Sequence, residues 1–356
     1  MKRSLLVLFA GSAVASLCLA CGGRDLNAGS GPNGGGNDGG GLRAGVVTIA
    51  SEIQLPPSNL VSDGTSLFWV TSTGAGGPVW SMPVAGGPIT TVVPGMIGGG
   101  FLAVDDVNVY YLGQGGIYRA PKSGAGSPAL INEAGGSPGG VTSLGENAYW
   151  LEVENPGASS PLVAEAGPTP SPATNLIVAV KSAPLKGGAV SLIAQFTSNS
   201  GLLAPQLMGV STTTVVLSWP TGQLAFFPLP SGVPDGGMPA SVPGPPPFGC
   251  EVLFSDTSAV YCENSSSLFR IANDGTLTML GPVVTGLNNF LADNVATDDT
   301  YVYWADSTTV GTIMRVPKAG GAFSTLARET VPLAIAVDAN AVYWSDQGGN
   351  IIRLAK

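Results

Sequence analysis

Three carboxylic acids, Glu152, Asp306 and Asp346, stand two places after an aromatic pair or its equivalent in recurring apolar runs, and Asn264 holds the same place in another run. Such acids could form a ring near an axial channel and hold a cation or a basic partner. They could equally bond backbone N–H groups inside their own repeat. Repetition favours the second reading, because catalytic groups break symmetry whereas packing devices follow it. Cys250 and Cys262 lie nearly symmetrically about Ser255-Asp256-Thr257. The spacing predicts two side chains facing each other across antiparallel strands, a disulfide in an oxidising compartment, with a pair of buried thiols as the alternative. Closing so small a loop contributes about 2–3 kcal/mol. The chain contains no histidine, which removes imidazole acid–base catalysis, Ser–His and Cys–His nucleophiles, and imidazole metal sites. Two cysteines without histidine cannot complete a tetrahedral shell, so no catalytic residue, metal or cofactor is expected. Calcium as a structural cation has no motif behind it.

The bulk properties narrow the setting. In 356 residues there are 52 glycines and 29 prolines, with 44% hydrophobic and only 10% charged positions. That much Gly and Pro demands many turns and argues against a helical bundle, while the apolar content is ample for a core. Fourteen basic residues against 23 acidic ones leave a net charge of −9. Basic residues this few and scattered exclude phosphate neutralisation, so no nucleic-acid partner is expected.

Positioning begins at the N-terminus. Met1-Lys2-Arg3 precedes an uncharged stretch from Leu5 to Ala20, the layout of a secretory signal spanning 1–20. The ending Leu19-Ala20-Cys21 resembles a bacterial lipobox, with Cys18 where that pattern prefers Leu. The resemblance implies a diacylglycerol-modified Cys21; ordinary signal cleavage near the same point is the alternative. Residues 21–43 are Gly-rich and read as a flexible tether. No later apolar stretch reaches spanning length, so membrane attachment is expected through the lipid alone. Gly22 lacks the Asp that marks inner-membrane retention in some bacteria, which favours an outer-membrane placement in the cell envelope.

From residue 44 onward one pattern recurs: an apolar run, a polar turn, an aromatic pair, a loop, and a strand ending near Pro-Lys-x-Gly-Gly. The clearest copies run Tyr303-Trp304-Ala305-Asp306 into Ile313–Gly321, and Tyr343-Trp344-Ser345-Asp346 into Ile351–Arg353. Earlier copies centre on Phe68-Trp69, Tyr110-Tyr111, Tyr149-Trp150, Leu217-Ser218-Trp219 and Tyr261-Cys262. Successive centres are spaced 42, 39, 68, 44, 42 and 40 residues, five of them near the ~40–45 of a four-stranded propeller blade. The long spacing contains Asn155–Asn175, read as a loop insertion in the third unit and the first candidate for a partner contact. Asp63, Asp105, Asp256, Asp298 and Asp338 fall in the first turn of their units, where a carboxylate can bond nearby backbone N–H groups. Arg119, Arg270, Arg315 and Arg353 recur at one blade position and are expected in blade-rim hydrogen bonds. The last unit ends without a fourth strand, and Ala44–Ala50 resembles the fourth strands of other units. The expected architecture is therefore an all-β propeller over 44–356, with seven blades favoured and six or eight left open. The N-terminal strand completes the last blade and closes the ring.

The two Tyr-Trp-x-Asp tetrads resemble the YWTD propeller repeat of lipoprotein-receptor ectodomains, and the units are similar to blades of uncharacterised bacterial propellers. Those receptor domains are six-bladed, and Glu152 replaces the Asp in the third unit. What the resemblance implies is a propeller that binds protein partners. The expectation is a monomeric, lipid-anchored scaffold for a protein, peptide or glycan partner. The alternatives are a lactonase-like hydrolase or lyase using carboxylates at the channel mouth, and a purely structural envelope module.

Overall fold

A computed structural model describes residues 45–54, 56–71, 77–97, 101–113, 116–132, 139–154, 176–198, 205–219, 223–229, 240–241, 250, 252–264, 267–272, 274–282, 295–306, 311–328 and 331–356. The signal stretch, the Gly-rich segment, Cys21 and the Asn155–Asn175 insertion lie outside them. The described residues form 28 strands, with no helix among them, in seven four-stranded antiparallel sheets. This is a seven-bladed β-propeller.

Strand β1 (Val46–Ala50) comes first. Blade one follows: β2 (Pro57–Ser62), β3 (Ser66–Thr71), β4 (Gly77–Pro83) and β5 (Thr90–Ile97). Blade two holds β6 (Leu102–Val104), β7 (Asn108–Gly113), β8 (Gly116–Pro121) and β9 (Ala129–Leu130). Blade three has the longest strands: β10 (Gly139–Leu144), β11 (Asn147–Glu154), β12 (Leu176–Pro184) and β13 (Ser191–Ser198). Blade four comprises β14 (Leu207–Val210), β15 (Thr214–Ser218), β16 (Leu224–Pro228) and β17 (Ala240–Ser241). Blade five comprises β18 (Val252–Ser255), β19 (Val260–Asn264), β20 (Ser267–Ile271) and β21 (Leu277–Pro282). Blade six comprises β22 (Val295–Thr297), β23 (Tyr301–Asp306), β24 (Thr312–Pro317) and β25 (Ser324–Arg328). Blade seven is β26 (Pro332–Val337), β27 (Ala341–Asp346) and β28 (Ile351–Ala355), completed by β1.

The ring therefore closes as its strand count requires. Val46, Val47 and Thr48 sit opposite Leu354, Arg353 and Ile352, and Ala50 opposite Ile351. Past β1, the Ile53 N–H donates to the Gly349 carbonyl at 3.0 Å. Gly349 has φ +75°, and a Cβ there would lie 2.2 Å from the Ile53 oxygen, so only glycine permits this approach. Across the closing seam the Ser345 hydroxyl donates to the Pro57 carbonyl at 2.8 Å.

The second strands explain how such short sheets pack. Strands buried on both faces read as continuous apolar runs, since period-two alternation sends successive side chains to opposite sides. Here each side is a neighbouring blade. Val302 and Trp304 pack against blade five, whereas Tyr303 and Ala305 pack against blade seven. Val342 and Trp344 face blade six, and Ala341 and Tyr343 face blade one. The apolar core thus divides into seven clusters, one per seam.

Blade four corrects the sequence reading by one residue. Val216, opposite Gly209 and packed toward blade five, takes the place of the tyrosine in other blades, and Leu217 takes that of the tryptophan. Trp219 then sits where the acid stands elsewhere, 2% exposed and packed on Phe196 of blade three. Centring the unit on Leu217 sets the frame one residue late, and a one-residue slip exchanges the two faces of a strand.

Candidate functional site

The strand order gives the disc two unlike faces. First-to-second and third-to-fourth strand turns lie on one, the turn face. Second-to-third strand loops and blade-to-blade connections lie on the other, the loop face. Glu152, Asp306 and Asp346 stand on second strands toward the loop face, one strand out from the innermost β2, β6, β10, β14, β18, β22 and β26. Those seven innermost strands contain no Asp, Glu, Lys or Arg.

Each acid has partners in its own blade. Glu152 accepts the Trp150 indole N–H at 2.9 Å and pairs with the Lys181 ammonium from the adjoining strand. Asp346 accepts the Asn350 backbone N–H at 3.0 Å and its side-chain amide at 2.7 Å, which holds the β27–β28 turn. Asp306 is 7% exposed, with the Thr312 hydroxyl at 3.5 Å. Asp346 is shorter than Glu152 and engaged with Asn350, so the Trp344 indole N–H has no partner among the described residues. No group of three or more Cys, Asp or Glu among the described residues could hold a metal ion. The buried Glu263, 1% exposed on β19, did not stand out in the sequence; it lies one place before Asn264, outside the repeating acid frame.

Cys250 and Cys262 form a disulfide with a Cα–Cα distance of 5.4 Å. The pair is not cross-strand: Leu253 is opposite Cys262, and Cys250 precedes β18. Symmetry about the turn located the bridge while missing its register. Cys262 is fully buried in the place of the tryptophan and faces blade four.

The turn face carries a network whose parts were visible in the sequence but not their connection. In five blades the hairpin aspartate accepts backbone N–H groups two and three residues on, as with Asp298 from Thr300 and Tyr301, both at 2.8 Å. Where the repeat residue is a tyrosine and not Phe68 as in blade one, the other oxygen accepts its hydroxyl: Tyr303 to Asp298 at 2.7 Å and Tyr110 to Asp105 at 2.5 Å. The recurring arginines sit directly opposite these tyrosines, Arg119 to Tyr110, Arg270 to Tyr261, Arg315 to Tyr303 and Arg353 to Tyr343. A lysine from the next blade then reaches the aspartate across the seam: Lys122 to Asp63, Lys318 to Asp256, Lys356 to Asp298. Blade one has Val84 in the lysine's place, and Asp338 instead accepts the Ser62 hydroxyl at 2.8 Å. Burial raises the Asp298 carboxyl, but Lys356, Tyr303 and the two backbone N–H groups outweigh it and hold the pKa at about 2. Asp63 is likewise lowered to about 2, burial being outweighed by Lys122, Ser66 and Thr65. Tyr110 is pushed up to about 12 by burial and by the Asp105 carboxylate it donates to. Tyrosines moved upward are hydrogen-bond donors, not bases. The lysine after Pro121 and Pro317, recurring beside the turn aspartates, was the signal for this stitch.

The insertion begins after Glu154 and ends before Leu176, both at the loop-face end of blade three. No helix among the described residues is long and apolar enough to cross a membrane.

No protein-family model matches the chain, and no curated protein matches it in sequence. Solved structures share its fold. The computationally designed Ika8 protein is 11% identical with a TM-score of 0.58, covering 87% of this chain and 98% of that one. A catalytically inactive histidine-to-alanine variant of virginiamycin B lyase from Staphylococcus aureus, solved with quinupristin, is 12% identical with a TM-score of 0.58, covering 87% and 99%. The WD40 propeller domain of Doa1 is 12% identical with a TM-score of 0.55, covering 88% and 97%. At such identities the likeness is one of fold.

Proposed function

We propose that this chain is a lipid-anchored, non-enzymatic propeller of the bacterial cell envelope, favouring the outer membrane, whose loop face engages a protein, peptide or glycan partner. One observation carries the reading. The innermost strands hold no ionisable side chain, and Glu152 and Asp346 are committed to contacts inside their own blades. A hydrolase or lyase with carboxylates at the channel mouth needs acids free to converge, and these are engaged within single blades. The lyase with this fold is inactivated by replacing a histidine, and this chain has none. Loops on a rigid scaffold are where propellers of any function vary, and they gather on the loop face.

The experiment is affinity capture of the membrane-bound full-length protein with cross-linking. A reproducible partner whose cross-links map to the loop face supports the proposal. Metal-dependent turnover of a lactone or ester, with no reproducible partner, overturns it.

A further inference from the structure

The direction of β1 bears on which face is free. As the fourth strand of blade seven, β1 runs from the turn face to the loop face. Its first residue, Val46, lies opposite Leu354, close to the C-terminal Lys356, whose backbone N–H donates to the Asn340 carbonyl in the blade-seven turn. Its last, Ala50, lies opposite Ile351 near the loop face. Ile49 and Ala50 pack on the blade-seven and blade-one cluster, and Ile53 is bonded to Gly349, so β1 is built into the disc. The chain ahead of Val46 therefore joins the disc at the turn face.

Charge is distributed in the same sense. Eight of the ten basic residues among the described ones belong to the turn-face half, where they offset the hairpin aspartates. Only Lys181 and Arg328 lie toward the loop face, together with Glu52, Glu152, Glu154, Glu263, Asp306 and Asp346. An anionic lipid surface repels the more acidic side.

We infer that the turn face is the side of the disc held toward the lipid surface, leaving the loop face turned outward. The inference rests on the lipid-anchored reading above. It assigns the Lys–Asp stitched side a second property, that of the side next to the membrane.

The test uses full-length lipidated protein in vesicles of phosphatidylethanolamine and phosphatidylglycerol carrying a headgroup acceptor dye. A donor dye is placed at Ala339→Cys on the turn face or at Gln347→Cys on the loop face, both exposed positions of blade seven. A second pair, Ser123→Cys and Thr197→Cys, repeats the comparison on blades two and three, with native-like circular dichroism required of each variant. The two faces differ by a strand length, about 20 Å for six residues. Energy transfer is therefore expected to be several-fold stronger from the turn-face dyes in both pairs. Flotation with equal or stronger transfer from the loop-face dyes overturns the orientation alone. Failure of the protein to float with the vesicles overturns the anchor and the orientation together.

Discussion

The seam between blades six and seven and the seam between blades four and five solve one packing problem with different chemistry. The first buries Tyr303, Trp344, Ile313 and Ile352 and is stitched at the turn face by Lys356 on Asp298. The second is aliphatic at its centre, with Val216, Leu224, Leu253, Val260 and Ile271 around Cys262. The blade-four turn has no aspartate, and Thr212 and Ser255 supply neutral hydrogen bonds, Thr212 to the Thr257 carbonyl at 2.8 Å and the Val210 N–H to Ser255 at 3.1 Å. Gly209 lets the innermost strands come together, since a Cβ there would lie 2.4 Å from the Val260 side chain. A disulfide inside blade five adds covalent restraint where aromatic bulk is missing. A wedge can be filled by large rings and charge, or by close backbone approach and a cross-link, provided its volume and polar groups are satisfied.

The contrast can be broken at its strongest point first. Trp344→Ala removes a fully buried ring and is expected to cost about 3–5 kcal/mol in denaturant unfolding, against about 2–5 for Leu224→Ala in the other seam. Equal small losses would mean that neither seam limits the ring. Next comes the bridge. Cys250→Ser with Cys262→Ser, or reduction of the native protein, is expected to lower stability by about 3 kcal/mol on the loop-entropy model for a sequence separation of 12. An unchanged midpoint with and without reductant would remove the disulfide from the account.

Acid should separate the seams. Asp63 and Asp298 are held at about 2, below the ordinary carboxylate value of about 4, so their contribution is complete above that value and is lost as pH falls through this window. Lys356→Met should therefore move the acid-unfolding midpoint to higher pH, followed by tryptophan fluorescence. The same titration should disturb the four–five contacts less, because Thr212, Ser255 and Thr257 do not titrate there and acid reaches them only through the Asp256 turn that carries Thr257. Smallest is Thr212→Val, which removes one exposed hydrogen bond and is expected to cost about 0.5–1 kcal/mol in thermal unfolding.

Much of this was legible in one dimension. The apolar-aromatic pairs at propeller spacing placed β3, β7, β11, β19, β23 and β27, and the missing last strand pointed to β1. The turn aspartates were readable because their bonds are local, two and three residues along the chain. Blade four was misread because its only tryptophan stands in the acid's place, and local pattern carries no information about which neighbour a side chain meets. The disulfide's existence followed from cysteine count and setting, its geometry did not, since Cys250 lies before the strand and not within it.

What the sequence determined by itself is periodic or local: the blade period, strand alternation, hairpin caps and the closing strand. These depend on residues close together in the chain, or on a repeat that announces its own partner. Only the tertiary structure decided that Lys122 meets Asp63, that Lys356 meets Asp298, and that Glu152 and Asp346 turn to partners in their own blades instead of toward an axis. The lysine contacts join residues 58 or more positions apart, and the direction taken by the acids depends on wedges that exist only once the ring has closed.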